Sequence, residues 1–219
     1  MVGILLIPII IGFINRHILY KILKIFWIYL ISLFIVYLFS LLFIWAVNNY
    51  YTFFQPFLTK FNIQNTYFLG ILSYTTNILF IGFFYSMVFN SILIKRITIF
   101  YFFIAIGIYF FVDGYHEYGS FNSTLLNIFI IILSLMFINK AIKTDLNKTF
   151  FKNPIVLISL GLLLPNVIQL LFSLLANDLD KTNFILYVKF KILTNFIDFI
   201  GYFLFSMAFL RVSKNLKIR

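Results

Sequence analysis

Residues 23–47 read LKIFWIYLISLFIVYLFSLLFIWAV, and after Lys24 no charged side chain occurs in the stretch. A helix needs about 20 apolar residues to cross the hydrocarbon core of a bilayer. This stretch is long enough, and it runs without the alternation that a β-barrel strand requires. Similar runs recur along the chain, so the expected fold is all-α: a polytopic transmembrane helix bundle. The runs place spans at about 2–14, 23–47, 66–90, 97–113, 123–139, 154–176 and 184–210. Together they make one transmembrane domain, 1–219, with no soluble domain and no internal repeat.

Composition closes off the alternatives. The chain of 219 residues is 63% hydrophobic and 11% charged, whereas soluble domains carry about 25% charge. A net charge of +11 could suggest nucleic acid, but that reading needs a basic face on a soluble domain. With no cysteine in the chain, disulfides and thiolate metal sites are excluded. The 32 Phe residues fill lipid-facing positions and carry no functional signal of their own.

The cations lie in alternate gaps. Arg16, Lys21 and Lys24 follow the first run, and Lys95 and Arg96 follow the third. Lys140, Lys143, Lys148 and Lys152 follow the fifth, and Arg211, Lys214, Lys217 and Arg219 follow the last. The other gaps hold Lys60, Lys181 and four acids, Asp113, Glu117, Asp178 and Asp180. Short basic loops stay cytoplasmic, so the amino terminus is expected outside and the carboxyl terminus inside. The first run carries its basic cluster behind it, which marks an uncleaved span rather than a signal peptide. Its thirteen residues reach only about 20 Å, and a six-span bundle with both termini inside is the alternative. The outer segment NNYYTFFQPFLTKFNIQNT, 48–66, mixes aromatics with amides and suits an interfacial half-helix or an aromatic belt. The expected location is a bacterial cytoplasmic (inner) membrane, with anionic headgroups at the basic face.

Ionisable groups at membrane depth are costly and point to function. Asp198 is the one carboxylate near the middle of a predicted span. An ionised Asp there costs on the order of 3 kcal/mol on insertion scales, so it is expected inside the bundle, neutral or partnered. Tyr187, Lys191, Asn195, Asp198, Tyr202 and Ser206 follow helical spacing and form one stripe. The sixth span offers Ser159, Asn166, Gln169 and Ser173, with Pro165 removing a backbone hydrogen bond beside the amides. The third span adds Ser73, Thr76 and Asn77. These groups define a candidate ligand or proton site: Asp198, Asn195, Lys191, Tyr202, Asn166, Gln169 and Asn77. The plainer reading is that amides and hydroxyls glue helices together, at about 0.6–2 kcal/mol each.

Enzymatic signatures are missing. There is no H-E-x-x-H, G-x-S-x-G or phosphate-binding glycine loop, and no second acid at depth for aspartyl proteolysis. His116, Asp113 and Glu117 in the outer loop make a weak metal candidate, better read as a solvated turn. No catalytic residue, cofactor or metal is expected. Retinal binding would need a lysine where Asp198 stands.

Through RHILYKILKIFWIYL, NNYYTFFQPFL, FVDGYHEYGSFN and LGLLLPN, the whole chain resembles uncharacterised bacterial seven-helix membrane proteins. These resemble in turn the membrane input modules of sensor kinases. The resemblance implies a signal-input or regulatory module that relays a ligand or membrane state to a separate cytoplasmic signalling protein. A second likeness is to small sugar transporters of three-plus-one-plus-three helices, which share the length, the seven spans and amides on the third and seventh helices, here Asn77 and Asn195. It implies the alternative, a small-solute or proton-coupled transporter with its path between spans three, six and seven. The prolines depart from that family, because only Pro8 and Pro165 lie at depth.

Overall fold

A computed structural model describes residues 2–60, 69–113, 120–143 and 150–216. Eight α-helices account for nearly all of them, and no strand occurs among the described residues. They are α1 (Val2–Ile14), α2 (Lys21–Asn49), α3 (Tyr51–Lys60), α4 (Gly70–Val88), α5 (Ile92–Ile108), α6 (Ser120–Lys143), α7 (Pro154–Thr182) and α8 (Phe184–Leu216). Six of them, α2 and α4 through α8, are long and apolar enough to cross a membrane. That is the architecture of a multi-pass membrane protein. The short α1 keeps the expected bounds, and of the 48–66 segment residues Tyr51–Lys60 form the short helix α3.

The gaps between runs are narrower than the charges suggest, because helices continue past their apolar stretch into the basic ends. The fourth span was expected from residue 97, but α5 begins at Ile92 and carries Lys95 and Arg96 inside it. Its start is fixed locally. Asn90 adopts φ 50°, a left-handed conformation that Asn tolerates better than most residues. Ser91 N–H then reaches back to the Ser86 carbonyl at 2.9 Å, and Asn90 N–H to Met87 at 3.2 Å, a Schellman closure of α4. Ser91 at once caps α5 by accepting from Ile94 N–H. The α7–α8 hairpin is as tight: Asn183 ends α7 and accepts from Leu186 N–H at 3.1 Å. Asn153 caps α7 through Ile155 N–H at 2.9 Å, with Pro154 in the first turn, where its missing N–H costs nothing.

The helices α1, α2, α4, α6, α7 and α8 pack pairwise in that order, and α1 closes the ring against α8. Helix α5 lies outside the ring against α4 and ends in a π-helical turn, Tyr109–Asp113. Two of the seams are built on glycine. Trp27 covers Gly12 and donates its indole N–H to the Ile9 carbonyl at 3.0 Å, joining α2 to α1. At the α7–α8 crossing, a Cβ on Gly201 would lie 2.7 Å from the Gly161 carbonyl oxygen and 2.9 Å from Pro165. Outward faces carry large apolar side chains, with Phe53 79% and Phe111 89% exposed. In water this would be ruinous; against lipid it is the expected solution.

Three helices are pinned by a buried hydroxyl cluster: the Tyr85 hydroxyl lies 2.9 Å from Ser134 Oγ and donates to Ser159 Oγ at 3.0 Å. Tyr101, by contrast, buries a hydroxyl with no partner among the described residues. Tyr85→Phe is expected to destabilise the folded protein by about 1–2 kcal/mol. Tyr101→Phe should be neutral or stabilising, and unfolding of both variants in detergent micelles would decide it. Equal losses in the two would mean that the Tyr85 cluster contributes only packing.

Candidate functional site

The ring holds a partly open cavity of about 90 Å³ lined from α2, α4, α6, α7 and α8. Asp198 projects into it from halfway along the apolar stretch Phe184–Val212. Pro165, which breaks the hydrogen-bond ladder of α7, lies halfway along Pro154–Ala176 and lines the same cavity. The Gly161 carbonyl loses its helical donor at Pro165. It faces the backbone of Gly201, where a Cα–H contact offers partial compensation.

The polar walls are tied to one another. Gln169 Nε2 donates to Asp198 Oδ1 at 2.8 Å, bridging α7 and α8. Asn166 Nδ2 donates to the Leu162 carbonyl at 2.6 Å. Across the cavity, the Tyr29 hydroxyl donates to Asn77 Oδ1 at 2.6 Å, and Asn77 Nδ2 donates to the Ser73 carbonyl at 2.9 Å. Tyr37 interacts with the side chains of Ser73 and Tyr202. No Lys, Arg or His lines the cavity among the described residues. A carboxylate thus faces amides, phenols and aromatic walls, with no counter-charge.

Five of the seven expected site residues come together here: Asp198, Tyr202, Asn166, Gln169 and Asn77. Lys191 does not. It is exposed, and its Nζ stands 5.7 Å over the Tyr187 ring. Asn195 also lies off the cavity. The expected α8 stripe therefore splits, because the cavity spans only about two turns of a much longer helix. Tyr187 instead packs with Phe172 and Ala176 in a separate cluster toward the other end of the hairpin. Ser159 and Ser173, on the α7 stripe, act as glue to Tyr85 and Thr124. The spacing missed Tyr29 and Tyr37, whose i, i+8 placement around Leu33 on α2 was the available signal. His116 and Glu117 lie outside the described residues, as does the side chain of Asp113. Among the described residues no group of three potential metal ligands occurs.

No protein-family model, curated protein or solved structure matches this chain.

Proposed function

We propose that this chain is a seven-span protein of a bacterial cytoplasmic membrane, amino terminus outside, that handles a small polar solute or a proton at its central cavity. In this reading α1 completes the seventh crossing, sheltered by α2 and α8. The basic helix ends, including Lys140, Lys143 and Arg211, lie at the cytoplasmic face against anionic headgroups. Topology is testable directly, since the native chain has no cysteine. A cysteine at residue 143 should be labelled only from the cytoplasmic side and one at residue 117 only from outside; the reverse pattern would overturn the orientation.

The reading best supported by the geometry is a small-solute or proton-coupled carrier. One observation carries it: Asp198 lies at mid-span in a cavity with no basic side chain among the described residues, held by a single amide from α7, the helix that carries Pro165. Carrier sites lie near the bilayer midplane, where alternating access can open them to each face in turn. The second reading, a signal-input module for a separate cytoplasmic protein, draws support from the basic residues gathered at helix ends on one side. Purified protein in sealed vesicles should show solute-dependent proton movement, abolished in Asp198→Asn. Absence of flux across a panel of small metabolites, with a partner crosslinked at residues 140–153, would replace the carrier with the input module.

A further inference from the structure

The polar groups around Asp198 are tied to protein partners, and its carboxylate is left without a counter-charge among the described residues. Gln169 uses an amide N–H on Asp198, and Asn166 uses one on the Leu162 carbonyl. Asn77 gives its N–H to Ser73, and Tyr29 gives its hydroxyl proton to Asn77. Acceptor capacity remains at Asp198 Oδ2, Gln169 Oε1 and Asn166 Oδ1, on residues that line the cavity, beside the second N–H of each amide. The backbone partners fix the amide orientations of Asn166 and Asn77, because a carbonyl can only accept. Aromatic rings of Tyr29, Tyr202 and Phe205 complete the walls.

An anion entering this space would meet a carboxylate and no cationic side chain among the described residues. We propose that the cavity takes a small ammonium-class cation, a positive charge bearing several N–H donors on one to three heavy atoms. Its N–H groups satisfy the leftover oxygens through charge-assisted bonds, and the ring faces favour its charge. The size follows from the volume, which corresponds to about three waters. A ligand of so few atoms binds in roughly the millimolar range. The proposal rests on the carrier reading for its biological use, but binding itself does not require flux.

The test uses the full chain in lipid nanodiscs, following the unfolding midpoint and calorimetric heat on titration at constant ionic strength. The probes are methylammonium, tetramethylammonium and sodium chlorides, with sodium acetate as an anion control. Methylammonium is expected to raise the midpoint saturably and to bind at least tenfold tighter than tetramethylammonium, which has the charge but no N–H and, with five heavy atoms, exceeds the size proposed for the ligand. Sodium and acetate should give no saturable shift. Asp198→Asn should weaken methylammonium at least tenfold; the wild-type probe series needs no variant and decides the matter even if that protein misfolds. No response to methylammonium, or an equal response to tetramethylammonium or sodium, would overturn the proposal. Saturable methylammonium binding without vesicle flux would keep the ligand class and sink the carrier. Flux of another solute with no methylammonium binding would do the opposite.

Discussion

Gly201→Ala is expected to destabilise the bundle by about 2–3 kcal/mol, and Gly201→Leu to prevent its recovery as a folded monodisperse protein. The added Cβ would lie 2.7 Å from the Gly161 carbonyl oxygen, a backbone atom that cannot rotate away, and 2.9 Å from Pro165. Relief requires α7 and α8 to move apart along the most extensive helix contact among the described residues. Overpacking of this kind costs about 1–3 kcal/mol in ordinary cores. Here the clash is with backbone, which places it at the upper end. The same motion would pull Gln169 from Asp198, so the cavity should suffer with the fold. Gly107→Ala is the matched control, because nothing lies within 4 Å of its added Cβ. In a helix interior that change should be neutral, or stabilise by up to about 1 kcal/mol. Opposite signs for the two substitutions, read from unfolding in micelles, would establish the crossing as a backbone contact. Equal and small effects would show that α7 and α8 are free to separate.

Helix identity was legible in the chain because lipid tolerates few alternatives: every apolar run of adequate length had to become a helix. The boundaries were less legible for a physical reason. Lys95 and Arg96 look like loop residues, yet a helix that has crossed the hydrocarbon keeps its backbone bonds and extends its cations into the headgroups. Only the Ser91 cap and the left-handed Asn90 say where α5 starts. In the cavity, Asp198 and the α7 amides stood out against their surroundings, since a charge or an amide in an apolar run has few places to go. Tyr29 and Tyr37 did not stand out. A phenol in a stretch crowded with Phe and Trp changes hydropathy little, and its hydroxyl matters only once Asn77, Ser73 and Tyr202 face it from other helices. Lys191 and Asn195 shared the helical spacing of Asp198, but periodicity specifies a side of a helix and not the length over which that side meets a cavity.

Asp198 should show opposite effects on stability and on function. A carboxylate at mid-span carries a desolvation cost on the order of 3 kcal/mol when ionised, and one amide hydrogen bond from Gln169 offsets only part of it. Asp198→Asn keeps the shape and can still accept from Gln169 through its carbonyl. The variant is therefore expected to be as stable as the wild type or up to about 2 kcal/mol more stable, while ligand binding or proton-coupled flux falls at least tenfold. Gln169→Leu should behave differently. It leaves the Asp198 oxygens with no protein donor among the described residues, so stability falls by about 1–2 kcal/mol. Combining the two substitutions should recover most of that loss, because the unpaired carboxylate is then gone. A residue retained only as interhelical glue would give the reverse: Asp198→Asn would weaken the fold and leave activity in proportion to the protein that survives. A stability gain coupled to functional loss is the mark of a group held at a structural cost for the work it does.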